Sequence, residues 1–170
     1  GQAVLMNARP MLVGTDSWNT YPDITYNNRD LWDIWTEMLK ASHINNTGYR
    51  FDVINVGRQV LGNLFSSFRD HFTQCYSEKD IMKKWADQMD ALLIDTDRLL
   101  SCETNFSIGK WIDDARSFGK TEAEKEYYEE NARCILTVWG QKATQLNDYA
   151  NRGWGGLTYS YYRERWKRFT

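Results

Sequence analysis

The chain has 170 residues, 42% of them hydrophobic, and a formal net charge of −2. That length suits one domain with a sizeable core, and the composition excludes a disordered chain. The near-neutral balance argues against a nucleic-acid partner, no apolar run is long enough to span a membrane, and no signal peptide is visible.

Residues 1–26 lack a sustained period and hold both prolines, Pro10 and Pro22, together with the run GTDSWNT. They predict an irregular arm or linker before an α-helical region over 27–170. From Asn28, a plausible N-cap, the period turns helical, with Leu31, Ile34, Trp35, Met38 and Leu39 on one face. The run SHINNTG breaks that helix. A longer one follows over about residues 49–76, with Val53, Val56, Val60, Leu61, Leu64, Phe65, Phe68 and Phe72 as its stripe. Ser77 and Asp80 resemble a capping box and open a third helix, striped by Ile81, Trp85, Met89, Leu92, Leu93, Leu99 and Leu100. Ile108, Trp111, Ile112 and Ala115 mark a short fourth helix. Thr121 with Glu124 forms a proper capping box for a fifth, which Gly140 ends. A sixth element covers NDYANRGWGG and runs to the end. No segment alternates convincingly as a strand, so the fold class is all-α, an antiparallel bundle of about six helices.

Chemistry is sparse. The 23 Asp and Glu residues lie mostly on polar helix faces, as in TEAEKEYYEE, where a solvated role is expected. His43 and His71 are the only histidines, and neither has a partner at metal-ligand spacing. Three separated cysteines, Cys75, Cys102 and Cys134, suggest no disulfide framework. There is no phosphate loop and no nucleophile elbow, and no metal or cofactor is expected.

The unusual quantity is aromatic: 15%, with eight Trp, which points to a large aromatic core or a sugar-facing surface. Trp32, Trp35, Trp85 and Trp111 sit in or beside helical stripes, where core packing is expected. Trp139 stands at a helix end beside Gly140, so its indole can project past the cap. Tyr149 and Trp154 lie among Asn147, Asp148, Asn151 and Arg152. Rings beside carboxylate, amide and guanidinium groups have the composition of a sugar subsite, and Gly153, Gly155 and Gly156 let backbone come close. The competing expectation, slightly ahead on composition, is a tight helix junction packed by Trp154.

One ordered set of segments is more specific. Asp148-Tyr149-Ala150, Arg152, Trp154, Gly156-Leu157, Tyr161-Tyr162, Arg165-Trp166 and Phe169 resemble the C-terminal helical domain of glycoside hydrolase family 89, the α-N-acetylglucosaminidases. YNNRDLWDIWTEML, YRFDVINVGRQVLGNLF, KWIDDAR, TEAEKEYYEENAR and LTVWG agree in the same order, so the resemblance covers roughly residues 26–170. The chain departs from the animal pattern at Gln141, where a proline is replaced, and in a loop to Asp148 that is one residue longer.

The resemblance implies an exo-acting retaining hydrolase that removes terminal α-linked N-acetylglucosamine from glycans. Retention needs two carboxyl groups about 5–5.5 Å apart. In the family both are glutamates of a catalytic barrel, and nothing here looks like a β/α barrel. The resemblance therefore implies a fragment with no catalytic residue of its own, inactive alone, whose partner is the barrel of the same polypeptide. It places Trp139, Asp148 and Tyr149 at the pocket wall as substrate-binding residues. A secreted, periplasmic or lysosomal location follows, and Asn45-Asn46-Thr47 and Asn105-Phe106-Ser107 fit the glycosylation pattern. The alternative is a non-catalytic helical protein-interaction module.

Overall fold

The structure, a computed structural model, describes residues 4–15, 23–41, 43–140 and 148–170. Among these residues it is all-α, as the periodicity predicts. The helices are α1 (Asn28–Lys40), α2 (Thr47–Gln74), α3 (Lys79–Leu100), α4 (Ile108–Arg116), α5 (Glu122–Leu136) and α6 (Arg163–Phe169). A 3-10 turn spans Leu5–Asn7, another Thr104–Phe106, and a π-helical turn Thr158–Tyr162 leads into α6. The run DSWNT, Pro22, and the loop with Gln141 lie outside the described residues.

Helices α2 and α3 form the frame. Their stripes meet through Leu61, Phe65 and Phe72 from α2 and Met89, Leu92 and Leu93 from α3. Helix α1 lies on α2, where Trp35 donates its indole N–H to the Val53 carbonyl at 2.9 Å. It enters one residue earlier than expected: Asn27 is the N-cap, and its side chain accepts from Arg29 N–H. The box at Ser77 and Asp80 does not form, since α3 starts from Glu78 with no side-chain cap. The Thr121–Glu124 box does form, with both reciprocal hydrogen bonds in place. Helix α5 folds back on α4, tied by Trp111 Nε1 to the Ala132 carbonyl at 3.0 Å and by Arg116 to Glu129 at 2.8 Å.

The irregular N-terminal arm is part of the core. Val4, Leu5, Met6 and Ala8 are buried in the main cluster against Leu61, Phe65 and Trp166. Side-chain donors hold the arm by its carbonyls: Trp166 Nε1 at Met6 (3.1 Å), Thr73 Oγ1 at Leu12 (2.7 Å), and Arg69 at Met11 and Gly14 (both 3.1 Å). These bonds replace the ladder that an irregular segment lacks, so its buried backbone is satisfied. Gly62 of α2 lets the arm approach, because a Cβ there would lie 2.4 Å from Val4 Cγ1.

The tryptophans sort differently from the stripes. Trp35, Trp85 and Trp111 are half-buried, and Trp32 is exposed. Trp85 lies beside Phe68 and stacks on His71 at 4.5 Å, so it covers the core edge. Among the described residues, the fully buried indole is Trp166, edge-on to Phe65 at 5.0 Å. A seven-residue helix is too short for its apolar period to stand out, which is why the stripes miss it.

Candidate functional site

Helix α5 ends at Leu136, short of Gly140, and its end is unusual. Trp139 donates its N–H to the Cys134 carbonyl at 2.8 Å with a φ of 60°. This closing position of a helix is normally glycine, because left-handed backbone crowds a Cβ. Asp148 is also left-handed, with φ 64°, and its N–H returns to the Thr137 carbonyl at 2.8 Å. Two such residues store roughly 1–3 kcal/mol each, Asp less than Trp, and persist only where surroundings over-determine them.

The surroundings of Asp148 do this. Its residue is 0% exposed. Oδ2 accepts from Arg165 Nη1 at 2.7 Å, and Oδ1 accepts from the Tyr161 hydroxyl at 3.3 Å. The Arg165 guanidinium lies over the Tyr161 ring, 4.4 Å from its centre, and 5.3 Å from that of Tyr162. Its Nη2 reaches the carbonyls of Asn7 and Ala8 at 3.3 and 3.2 Å. Burial pushes the phenols of Tyr161 and Tyr162 up from their ordinary range, so both remain hydrogen-bond donors at neutral pH.

On this base stands an aromatic pair. The rings of Trp139 and Tyr149 lie 4.9 Å apart, tilted by 51°. They are 37% and 41% exposed. Of the three residues expected at a sugar-facing wall, Trp139 and Tyr149 therefore come together and present surface. Asp148 lies beneath them, enclosed, with its oxygens taken by Arg165 and Tyr161.

The remaining residues of the glycine-rich stretch up to Gly156 make the junction. Gly155 exchanges backbone hydrogen bonds with Phe106 and Ile108 at 2.7 and 3.1 Å. A Cβ on Gly155 would lie 2.5 Å from Ser101 Oγ, and Gly156 has a φ of 82°, so both positions require glycine. Trp154 packs against Trp111 at 5.8 Å, beside Leu136 and Leu157. Asp97 of α3 caps the turn that follows, accepting from Gly156 and Tyr159 N–H at 2.7 and 2.9 Å. The sixth element thus begins after this stretch rather than covering it. Composition points here to a junction or a sugar subsite, and residues 153–156 form a junction.

Sequence reasoning missed Arg165, Tyr161, Thr137 and Asp97. The only local signal is the i, i+4 spacing of Tyr161 and Arg165, which puts both on one helix face. The pairing of Asp97 with residue 156, and of Arg165 with residue 7, is nonlocal and carries no periodic trace.

A whole-chain comparison decides the family: residues 1–170 match the family described as Alpha-N-acetylglucosaminidase (NAGLU) C-terminal domain. This chain belongs to that family. The human α-N-acetylglucosaminidase is 30% identical over 174 residues, spanning 99% of this chain and 23% of that protein. A family 89 glycoside hydrolase from Clostridium perfringens, solved with PUGNAc, superposes with a TM-score of 0.92 at 27% identity. It covers 99% of this chain and 20% of its own. A doubly Glu→Gln form of that enzyme, solved with its substrate GlcNAc-α-1,4-galactose, superposes with a TM-score of 0.87 at 26% identity over the same shares. The α-N-acetylglucosaminidase C-terminal domain seen here thus spans about a fifth to a quarter of its relatives' length. Among the described residues, no helix is long and apolar enough to cross a membrane.

Proposed function

We propose that this chain is the C-terminal part of an exo-acting, retaining α-N-acetylglucosaminidase, and that Trp139 and Tyr149 form part of its pocket wall. The substrate is a glycan with a terminal α-linked N-acetylglucosamine, met in a secreted, periplasmic or lysosomal setting. The catalytic carboxyl pair, spaced about 5–5.5 Å for retention, belongs to a barrel domain of the same polypeptide. The domain defined here supports that barrel and completes the pocket.

One observation carries this assignment: an aromatic pair left half-exposed at 4.9 Å, on backbone held left-handed at Trp139 and Asp148. A residue serving only the fold would gain by turning its indole inward, or by being glycine at that φ. Rigid, exposed aromatic faces suit the apolar face of a pyranose, whose loss of freedom on binding is then the main entropic cost. Asp148 contributes by holding the turn from beneath, and the sugar meets the rings.

The test uses the full-length enzyme that contains this domain. Trp139→Ala and Tyr149→Ala should each lower kcat/KM on an aryl α-N-acetylglucosaminide by about 10- to 100-fold, because a misplaced sugar misses the attacking geometry. Their melting midpoints should move little. Full activity in both variants overturns the pocket wall. The isolated chain should show no turnover above buffer, and turnover that a point change within it abolishes overturns the division of labour.

A further inference from the structure

We propose that Arg165 is the positioning residue of the Trp139–Tyr149 wall, and that it fixes the wall and the N-terminal arm with one guanidinium. The proposal rests on the assignment of that pair to the sugar pocket. Arg165 touches neither ring of the pair in any contact the structure gives, so its effect must pass through Asp148.

The geometry is a branched clamp. Nη1 holds Asp148 Oδ2 at 2.7 Å, and Nη2 holds the Asn7 and Ala8 carbonyls at 3.3 and 3.2 Å. The plane of the guanidinium is set by stacking over Tyr161. Tyr161 in turn donates its hydroxyl to the other carboxylate oxygen of Asp148. Both oxygens of a wholly buried carboxylate are thus taken by side chains one helical turn apart on the C-terminal segment. Asp148 can then rotate about neither χ angle without losing a bond. Its left-handed backbone follows, and with it the direction in which Tyr149 leaves the turn. Trp139 is tied to the same point, because Asp148 N–H closes onto Thr137, two residues before the indole.

The arrangement is also specific to arginine. A planar fork can serve a carboxylate on one branch and carbonyls on another, whereas a lysine ammonium, being a point donor on a flexible stem, can reach only one of them well. Among the described residues, two nearby buried polar atoms, Arg165 Nε and Asn7 Oδ1, have no hydrogen-bond partner. The fork thus engages through its two Nη branches.

The test is a double-mutant cycle in the full-length enzyme, with Arg165→Lys and Trp139→Ala. Arg165→Lys should lower kcat/KM on the aryl glycoside by about tenfold, chiefly through KM, while the enzyme remains folded by melting midpoint. In the Trp139→Ala background the same change should add no more than about twofold, since the wall it positions is already gone. Where Arg165→Lys does not accumulate as folded enzyme, Tyr161→Phe replaces it and removes only the hydroxyl given to Asp148. Its expected loss is about threefold, with the same non-additivity. If Trp139→Ala alone leaves kcat/KM unchanged, the pocket wall itself is wrong, and the clamp with it. If Trp139→Ala is impaired but the second change multiplies the loss in full, the wall stands and the positioning role of Arg165 is overturned.

Discussion

The N-terminal arm over residues 4–15 and the segments 139–140 and 148–156 are both irregular backbone packed into a helical protein, and they are stabilised by opposite means. The arm is ordinary in conformation at its ends, with Val4 and Ala8 extended, and is held from outside. Its Val4, Leu5, Met6 and Ala8 are apolar and buried, and Trp, Thr and Arg donors from α2 and α6 satisfy its carbonyls. The second stretch is strained in itself, with left-handed Trp139 and Asp148, and is held by a buried ion pair and by glycines at close approach. Burial alone suffices for a segment that only has to fill space. A segment that keeps two rings half in water is not held by burial, and charge and backbone geometry take its place.

The largest expected effect breaks the arm. Trp166→Ala removes an indole that is 1% exposed and the donor to Met6, and should cost about 3–5 kcal/mol in denaturant unfolding. Trp85→Ala, at the half-buried edge, should cost less, about 1.5–3 kcal/mol. Equal losses would mean that the arm adds nothing beyond what the frame supplies. Gly62→Ala attacks the same contact from the other side. Its Cβ would overlap Val4, and an expected loss of about 1–3 kcal/mol exceeds the roughly 1 kcal/mol that alanine gains in a helix interior. Stabilisation by this change would show that the arm sits loosely.

At the wall the stability effect is smaller. Trp139→Ala should cost about 1–2 kcal/mol, since the indole is 37% exposed and alanine still carries a Cβ at φ 60°. A loss as severe as that of Trp166→Ala would make Trp139 a core residue.

The smallest effect separates the regions by pH. Hydrogen bonds from Arg116 and Lys125 hold Glu122 below the usual carboxylate range. Those from the Thr121 and Lys120 N–H groups do the same for Glu124, and those from Arg133 and Arg116 for Glu129. Groups so depressed contribute stability above the unfolded value of about 4.3 and lose it as pH falls through their folded values. All three lie on α5, which leads into the wall. The arm's bonds run from Trp, Thr and Arg donors to carbonyls rather than to carboxylates. Amide NMR spectra at about pH 6 and 3.5 should therefore show α5 changing before the arm. The reverse order would contradict the contrast drawn between them.

Much of the frame is legible in the sequence because long helices repeat their apolar residues often enough to be seen. The stripes of α2 and α3 are the clearest example, and the Thr121–Glu124 box marks the start of α5 to the residue. What periodicity cannot carry is the burial of Leu5 and Met6, or the rank of Trp166 above Trp85, since both depend on partners far along the chain. The wall is half legible. Trp139 and Tyr149 stand out as aromatics beside a helix end and polar groups, and the structure brings them together. Asp148 reads as a substrate acceptor beside Arg152, four residues on, whereas it is Arg165 that arrives from α6 to enclose it.

The bond from Trp166 to Met6 spans 160 residues, and those from Arg165 to Asn7 and Ala8 nearly as many. Closing so long a loop carries an entropic cost of about 4–5 kcal/mol before any contact offsets it. During synthesis the arm precedes its frame and gains its full cover, Leu61 and Phe65 of α2 together with Trp166 of α6, only when α6 has left the ribosome. The arm waits through the folding of α2 and α3 with Val4, Leu5 and Met6 not fully covered. The groove on the frame waits with it. Helix α6 thus acts as the latch of the arm, and a chain stopped short of Trp166 leaves the arm and its groove on the frame without that cover.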